Sequence, residues 1–281
     1  MTIKTFPLGG DLTVRRLGFG AMRLATGTLH GPARSPENAV AVLRRARELG
    51  VDHIDTAGFY DRGTVRANEM IRTALFPYPD DLVIATKVGP LPGPGGVPSG
   101  QATPDRLRAL VERDLRDLGL DRLDLVYLRV GGTTGPGGES LAARFEVLAG
   151  LREEGLIRHL GVSNVDAAQF AEARAIAPVA AVQNHQDDDG LLARCEEAGI
   201  AYVPFFPLGG GGNPLDEARL GKIAARHGAT VPQVQLAFSL ARSPVVLSIP
   251  GTGTLRHLEE NLAADSLVLD AEDLAYLRGE G

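Results

Sequence analysis

Three side chains that can hold or transfer a proton lie in the first third of the sequence. Asp55 and Tyr60 belong to the stretch DTAGFY, and Lys87 lies near the end of the apolar run LVIATKV. A lysine ammonium near a phenol favours the ionised phenol and makes it a better proton donor, while an aspartate holds the ammonium in place. Together the three residues predict a general acid.

Each of these residues has a simpler explanation when it is taken alone. A strand-end aspartate can cap the next turn, a lysine at a rim can extend to water, and a tyrosine can simply pack. The general-acid prediction therefore depends on neighbouring strands delivering all three groups to one place.

Short apolar runs alternate with amphipathic helical patterns along the whole chain. The runs predict eight strands: RRLGFGAM, VDHID, LVIATKV, LDLVYLRV, IRHLGVS, VAAVQN, AYVPFF and VVLSIPG. A typical helix between them is SPENAVAVLRRARELG, where Ser35 and Pro36 suit the first turn and Gly50 ends the helix. TPDRLRALVERDLRDLG repeats this design from Thr103 to Gly119.

This alternation predicts an α/β fold, a (β/α)8 TIM barrel in one domain over residues 1–281, with a short hairpin from Thr5 to Val14. An open doubly wound sheet would normally carry G-x-G-x-x-G after its first strand, and LGFGAM lacks the third glycine. Segments 89–100 and 131–140 are too rich in Gly and Pro for regular structure. We expect both to be loops over the barrel mouth, where barrel active sites lie.

Composition excludes several classes of partner. The net charge is −6, from 29 Lys and Arg against 35 Asp and Glu, so nucleic acid is not expected as a partner. The single cysteine, Cys195, cannot form an internal disulfide, and no apolar run approaches membrane-spanning length. The first ten residues lack the apolar core of a signal peptide, which predicts a cytoplasmic protein without membrane association.

The order and spacing of several segments resemble the aldo-keto reductase family from about residue 14 to 278. They are HIDTAGFYDRGTVRANEMIRTAL, LVIATKVG, LDLVYLRV, HLGVSN, VQN, VPFFPLGGG and SIPGTGTLRHLEENLAA. The resemblance implies a (β/α)8 barrel that binds NADPH/NADP+ at its mouth and acts on a small-molecule carbonyl or alcohol. It implies hydride transfer from the nicotinamide to an aldehyde or ketone and protonation by Tyr60. Asp55 would then orient Lys87, and Lys87 would tune Tyr60.

The resemblance also implies cofactor-binding positions. Ser163, Asn164 and Gln183 match residues that hydrogen-bond the nicotinamide carboxamide, and Phe205 matches the aromatic that stacks on the nicotinamide ring. The glycine run at 207–214 would bring backbone amides to the pyrophosphate, and a turn leading into a helix would receive the adenosine phosphate. These two segments contribute Leu208, Gly209, Gly210, Ile249, Gly251, Thr252, His257, Glu260 and Asn261.

Simpler explanations compete with these assignments as well. Ser163 and Asn164 could cap the next helix, Phe205 could be a core residue, and TLRHLEEN could be an ordinary surface helix. His257 stands where some family members carry an arginine, so a preference for NADPH over NADH is expected.

The sequence departs from the family pattern at the end of the fourth predicted strand. The family usually carries a catalytic histidine there, and this chain has Arg129. An arginine cannot shuttle a proton, but it can hydrogen-bond a carbonyl oxygen and stabilise developing negative charge. Alternatively, Arg129 forms a salt bridge that points away from the pocket.

A second departure follows VQN, where the chain reaches the next helix quickly through an acidic run at 187–189. No histidine cluster accompanies this run, so it predicts a helix start and no metal site.

Two other functions fit parts of the pattern. One is a cofactor-binding regulatory protein on a reductase scaffold, like the potassium-channel β subunits that resemble this family; an intact Asp55, Tyr60 and Lys87 argues against it. The other is an unrelated barrel lyase or isomerase in which Lys87 forms a Schiff base. Such a lysine would not need Tyr60 or the nicotinamide residues.

Overall fold

The computed structural model describes residues 4–25, 34–62, 65–92, 98–132, 135–185, 188–209 and 216–280. The strands within these ranges are β1 (Thr5–Leu8), β2 (Leu12–Arg15), β3 (Phe19–Gly20), β4 (His53–Asp55), β5 (Asp61–Arg62), β6 (Val65–Arg66), β7 (Val83–Val88), β8 (Pro90–Pro92), β9 (Pro98–Gln101), β10 (Leu123–Arg129), β11 (Ile157–Ser163), β12 (Val179–Gln183) and β13 (Ala201–Tyr202).

Helices follow most of the strands. They are α1 (Met22–Ala25), α2 (Pro36–Glu48), α3 (Ala67–Leu75), α4 (Pro104–Leu118), α5 (Ala142–Glu153), α6 (Ala167–Ile176), α7 (Asp189–Ala198), α8 (Glu217–His227), α9 (Val231–Ala241), α10 (Leu255–Ala263) and α11 (Ala271–Arg278), with a 3-10 turn at Ala264–Ser266.

Seven parallel strands form a curled sheet in the order β13, β12, β11, β10, β7, β4, β3. Its two edges meet across residues 245–248, because Leu17 bridges Ser248 and Tyr202 bridges Val246, both in parallel. Backbone hydrogen bonds support the closure, from Gly18 N to Ser248 O at 2.9 Å and from Leu247 N to Tyr202 O at 2.9 Å. The chain therefore forms the predicted (β/α)8 barrel.

The eighth predicted strand, VVLSIPG, forms these bridges and not a continuous ladder. Pro244 precedes it and Pro250 lies within it, and a proline has no backbone N–H to contribute to a ladder. The first predicted strand, RRLGFGAM, is likewise regular only at β3. Both expected strands were too long, although the barrel closes where they meet.

The expectation for segment 89–100 was wrong in part. β8 and β9 pair antiparallel across it, with Pro90 opposite Gln101, and Ala102 N donates to Gly89 O at 2.7 Å. Proline tolerates extended backbone in a two-stranded ribbon because one side of each strand needs no ladder hydrogen bonds. Residues 93–97 lie outside the described part of the chain.

The predicted N-terminal hairpin is present as β1 and β2, with Thr5 opposite Arg15. It lies at the amino ends of the barrel strands. Gly9, at φ +64°, turns directly over the imidazole of His159, and a Cβ there would collide with the ring. The hairpin buries Phe6 and Val14 against the barrel core.

The helices begin and end close to the predicted positions. Ser35 caps α2 by accepting a hydrogen bond from Asn38 N, and Gly50 follows that helix at φ +87°. Gly119 ends α4 in the left-handed conformation, whereas Thr103 makes no side-chain cap there. No helix among the described residues is long and apolar enough to cross a membrane.

Candidate active site

Five polar residues stand at or next to the carboxyl ends of adjacent strands. They are Asp55 on β4, Lys87 on β7, Arg129 on β10, Ser163 on β11 and Gln183 on β12. Parallel strands present their carboxyl ends on one face, so these side chains share the mouth of the barrel. The sequence predicted the strand-end positions of Asp55, Lys87 and Arg129, whereas Ser163 and Gln183 came from the family resemblance.

Asp55 and Lys87 form a buried ion pair. Lys87 Nζ donates to Asp55 Oδ1 at 2.5 Å and to the backbone oxygen of Thr56 at 2.9 Å. Only 2% of the Lys87 side chain and 6% of the Asp55 side chain are exposed. Burial lowers the pKa of Lys87, but electrostatic interactions and hydrogen bonds with Asp55 and Tyr60 outweigh it, and the net pKa is raised. Lys87 is therefore held as an ammonium.

Tyr60 lies on the turn that follows β4. Its backbone N–H closes the turn on Ala57 O at 3.0 Å, and its ring packs edge-on against Phe59. The Lys87 ammonium lies 4.8 Å from the centre of the Tyr60 ring. A positive charge at this distance stabilises negative charge developing on the phenol oxygen, as a proton donor requires.

Gln183 reaches the ion pair from the far side of the mouth. Its Nε2 donates to Asp55 Oδ2 at 2.7 Å, so the carboxylate is held by the amide and the ammonium together. Because Nε2 is fixed by Asp55, Gln183 Oε1 must face elsewhere, and this buried atom has no hydrogen-bond partner among the described residues. Gln183 Oε1 can therefore accept a hydrogen bond from an N–H group of a bound molecule, such as a carboxamide.

The contact between Gln183 and Asp55 was missed from the sequence. The resemblance assigned Gln183 to the cofactor alone, and 128 positions separate the two residues. Nothing local in either strand signals it, because it depends on how the barrel closes.

Arg129 points inward. Its Nη1 donates to Ser163 Oγ at 3.2 Å, and its guanidinium carbon lies 5.2 Å from the centre of the Phe205 ring. Burial lowers the pKa of Arg129, while electrostatic interactions with Tyr60 and Asp55 act in the opposite direction. An arginine stays charged at any accessible pH despite such a shift. Arg129 thus contacts two of the residues that the resemblance assigned to the nicotinamide.

Asn164 holds a loop. Its Nδ2 donates to the backbone oxygens of Val130, Gly132 and Gly135 at 2.8, 3.1 and 2.9 Å, and its φ of +61° is unusual for a residue other than glycine. The cap of α6 is Asp166, so capping of that helix by Ser163 or Asn164 is excluded. Asn164 therefore shapes the mouth by fixing the loop after β10.

Phe205 follows β13 and is 8% exposed. Its ring packs edge-on against His185 and Phe206, so it combines a core position with a place beside Arg129. Leu208 packs against the apolar cluster that contains Leu17, and Gly209 N closes a turn on Phe206 O at 2.8 Å. Gly210 lies outside the described residues.

The turn from Ile249 to Thr252 lies beside the mouth. Gly20 pairs with Asp55 on one side and donates to Pro250 O on the other, and a Cβ at Gly251 would meet Gly20 O at 2.6 Å. Glycine is required because the two backbones approach so closely. This turn is therefore one strand away from Asp55.

The amino end of α10 follows that turn. Thr254 caps it by accepting from His257 N at 3.3 Å, and Thr254 N donates to Thr252 Oγ1 at 3.2 Å. His257 is exposed beside Arg256, whereas Asn261 is buried. Glu260 lies on the same helix, with its backbone oxygen accepting from Gln233 Nε2 at 3.0 Å. The amino end of a helix and the exposed Arg256 guanidinium can receive a phosphate here.

The acidic run begins α7, as predicted. Asp188 caps that helix by accepting from Leu191 N at 3.0 Å, and Asp189 is its first residue. Asp187 is outside the described residues. Among those that are described, no group of three or more His, Cys, Asp or Glu side chains is placed to hold a metal ion.

Comparison with known proteins agrees with the architecture. A model of the Aldo/keto reductase family matches residues 16–279. Pyridoxine 4-dehydrogenase of Escherichia coli K12 is 47% identical over 286 residues, covering 99% of both chains. An oxidoreductase of Schizosaccharomyces pombe is 36% identical, covering 97% of this chain and 88% of its own.

Solved structures share the fold over the whole chain. The thermostable aldo-keto reductase Tm1743, in complex with the inhibitor epalrestat, superposes with a TM-score of 0.82 at 30% identity and covers 100% of both chains. An aldo-keto reductase from Klebsiella pneumoniae in complex with NADPH gives a TM-score of 0.80 at 28% identity, covering 99% of this chain and 95% of its own.

Proposed function

Because the chain belongs to the aldo/keto reductase family, we propose that it is an NADP(H)-dependent oxidoreductase that interconverts a small aldehyde or ketone and its alcohol. The observation that carries the proposal is the hydrogen-bonded chain from Gln183 through Asp55 to Lys87, which ends beside Tyr60. Such a chain fixes one ammonium beside the phenol of Tyr60, and so favours proton donation from one point in the mouth.

Tyr60 is the proton donor to the carbonyl oxygen. Lys87 stabilises the phenolate that Tyr60 leaves behind, and Asp55 keeps Lys87 charged and oriented. Arg129 donates a hydrogen bond to the same oxygen and stabilises its developing negative charge. It does not take part in proton transfer, since a guanidinium does not release its proton. In the alcohol-to-carbonyl direction the same residues act in reverse.

The residues of the mouth fit a nicotinamide cofactor. When bound, NADPH supplies the hydride that reduces the carbonyl carbon. Gln183 Oε1 offers the buried acceptor that a carboxamide N–H needs, and the Phe205 ring offers a surface for stacking. Leu208, Gly209 and Gly251 are assigned to the phosphates, and Thr252 to the 2'-phosphate or adenine.

His257, Glu260 and Asn261 are assigned to the adenosine end of the cofactor. His257 and Arg256 are exposed at the amino end of α10, where a 2'-phosphate would gain the charge of Arg256, a hydrogen-bond partner in His257 and the helix amides.

The charge on Lys87 opposes the Schiff-base alternative. A Schiff-base lysine must be neutral to attack a carbonyl, and desolvation without a counter-ion normally achieves this. Lys87 instead has Asp55 at 2.5 Å and a raised pKa. Treatment with borohydride and an aldehyde should therefore leave Lys87 unmodified. A stable adduct on Lys87 in the intact-mass spectrum would favour the lyase or isomerase.

The purely regulatory alternative requires a chain that binds the cofactor without turning it over. The buried ion pair in the mouth opposes it: a binding module gains nothing from a buried Lys87 ammonium beside Tyr60. Turnover assays decide between the two.

The substrate panel starts from the named relative. Since pyridoxine 4-dehydrogenase is 47% identical over nearly the whole chain, pyridoxine with NADP+ and pyridoxal with NADPH are the first pair to assay. Unbranched aldehydes, aryl aldehydes and ketones follow, each monitored by NADPH absorbance. Turnover of at least one carbonyl is expected. NADPH binding without turnover across the panel would instead support the regulatory protein.

A further inference from the structure

A second hydrogen-bond network lies on the outer side of the strands that carry the ion pair. Thr86 Oγ1 donates to Asp114 Oδ2 at 2.6 Å, and Asn68 Nδ2 donates to Asp114 Oδ1 at 3.2 Å. Thr56 Oγ1 donates to Asn68 Oδ1 at 2.8 Å. All four residues are at most 3% exposed. The network joins β7, α3, α4 and the turn after β4 through one carboxylate.

The two threonines adjoin the ion pair in sequence. Thr56 follows Asp55, and Thr86 precedes Lys87. Side chains alternate across a strand, so Asp55 and Lys87 point into the barrel while Thr56 and Thr86 point towards the helices. Lys87 Nζ also donates to the backbone oxygen of Thr56. The outer network thus fixes the backbone to which the inner ion pair is attached.

Helix α4 also holds the turn that leads to Tyr60. The Arg113 guanidinium donates to Gly58 O, and a Cβ at Gly58 would collide with Asp114 Oδ1. Glycine is therefore needed at 58 for the turn to dock on α4. Asp114 is therefore in contact with the elements that position all three residues: Thr86 beside Lys87, Asn68 and through it Thr56 beside Asp55, and the turn at Gly58 that leads to Tyr60.

The sequence carries a signal for Asp114 that was overlooked. The buried face of α4 consists of Leu107, Val111, Leu115 and Leu118, and Asp114 lies within the same stripe. An acid in an apolar stripe is expensive to bury unless its oxygens are hydrogen-bonded, so its presence points to a specific task.

We propose that Asp114 is a positioning residue for the proton donor, acting through Thr86 and through Asn68 and Thr56 to set the geometry of Asp55, Lys87 and Tyr60. The inference rests on the proposed reductase function. It adds a group that touches neither substrate nor cofactor and lies behind the strands.

The protonation state of Asp114 supports this role. The net pKa of Asp114 is raised to about 7, and burial is the largest cause. The hydrogen bond from Thr86 and the charges of Arg113 and Arg66 lower the pKa, and the charge of Asp117 raises it. The ionised carboxylate accepts from both Thr86 and Asn68. The protonated acid must donate from one oxygen, so the Thr86 hydroxyl would have to turn and accept. The network therefore has two hydrogen-bond arrangements near neutral pH.

The test compares four variants of the whole protein with the wild type. Thr86→Val removes the hydroxyl at nearly constant shape, Thr86→Ser restores it, and Asp114→Ala removes the acceptor. Asp124→Asn is the matched control. Burial raises the pKa of Asp124 as it does that of Asp114, but Asp124 lies at the amino end of β10, away from the barrel mouth, where it accepts from Ile84 N. The readouts are kcat at saturating substrate, NADPH affinity by fluorescence titration, and the 15N NMR signal of the buried Lys87 ammonium, assigned by its loss in Lys87→Met.

We expect Thr86→Val and Asp114→Ala to lower kcat at least about tenfold, since small displacements of catalytic groups are costly in rate. NADPH affinity should stay within about twofold, and the Lys87 ammonium signal should shift. Thr86→Ser and Asp124→Asn should resemble the wild type in all three readouts.

Folded Thr86→Val with unchanged kcat and an unchanged Lys87 signal would overturn the proposal, whether or not Asp114→Ala folds. If the wild type reduces no carbonyl, the proposed function fails by itself. The Lys87 signal then still decides whether Asp114 sets the geometry of the ion pair, because that readout needs no turnover.

Discussion

The two ends of the barrel use charged residues in opposite ways. At the amino ends of the strands, Asp124 accepts from the backbone of Ile84 at 3.0 Å, and both Asp52 oxygens accept from Arg15 N. The hairpin residue Asp11 pairs with His159 at 2.6 Å over this end. These carboxylates satisfy backbone groups or attach the hairpin, so each performs a local structural task.

At the carboxyl ends the charged side chains bind one another. Asp55 is shared between Lys87 and Gln183, and Arg129 donates to Ser163. The same strands contribute to both ends of the barrel, since β4 begins with His53 at the amino end and finishes with Asp55 at the carboxyl end. His53 is buried, and within the described part of the chain neither of its ring nitrogens is hydrogen-bonded, yet its ring packs against Gly18.

This difference distinguishes carboxylates that stabilise the fold from the carboxylate that takes part in the chemistry of the site. A carboxylate that binds a backbone amide can be replaced at a cost in stability alone. A carboxylate that binds an ammonium next to a phenol sets a protonation state, and its replacement costs rate. Mutations at the two ends should therefore affect different measurements.

The largest effect is expected from Tyr60→Phe. The change deletes the proton donor and little packing, so the rate of carbonyl reduction should fall by about 10²–10⁴ while NADPH affinity stays nearly constant. Single-turnover rates with a substrate from the panel measure this. A variant that keeps more than half of the wild-type rate, with chemistry limiting, would remove Tyr60 from the mechanism.

Arg129→Met is expected to have the next largest effect. Loss of the guanidinium should raise the barrier by about 2–4 kcal/mol, by analogy with a deleted oxyanion donor, and should lower turnover more than NADPH affinity. The pH profile of the wild type should lack a limb from a titrating histidine at this position. Turnover and affinity between about pH 5 and 9 measure both effects. A loss confined to affinity would assign Arg129 to the nicotinamide contacts that it shares with Ser163 and Phe205.

The titration of Asp114 should appear in the stability of the protein. Its folded pKa of about 7 lies above the ordinary value of 3.8, so its stabilising contribution is complete below pH 3.8 and is lost as the pH rises through 7. The difference in unfolding free energy between wild type and Asp114→Asn should fall by up to about 4 kcal/mol over this window. Urea denaturation at several pH values measures it. A difference that is constant with pH would mean that Asp114 does not titrate there.

The cofactor preference should produce a smaller effect. NADPH should bind more tightly than NADH, and Arg256→Ala with His257→Ala should weaken NADPH on the order of tenfold while leaving NADH unchanged. Fluorescence titration of both cofactors provides the dissociation constants. Equal affinities in the wild type would place the 2'-phosphate away from the start of α10.

The smallest effect on turnover is expected at the other end of the barrel. Asp124→Ala leaves Ile84 N without its acceptor, so unfolding free energy should fall by about 1–3 kcal/mol while kcat stays the same. Denaturation and turnover assays on one preparation test both statements. A fall in kcat of more than a few fold, in a folded variant, would show that the two ends are not independent.

The sequence alone determined the type of fold and most of the rim. Apolar runs mark the strands, and each polar residue after such a run falls at a carboxyl end, so Asp55, Lys87 and Arg129 could be located without coordinates. Helix ends at Ser35 and Gly119 were also predictable, because capping and left-handed turns depend on local residues.

Tertiary structure alone decided which of these groups meet. The Gln183–Asp55 bond spans 128 positions and exists because the barrel curls until β12 faces β4 across the mouth. The place of Arg129 against Phe205, the β8–β9 ribbon and the closure through Ser248 depend equally on distant segments. Local patterns specify where a side chain sits along its own strand, but its partner across the barrel is set by strand order, register and closure, which involve the whole chain.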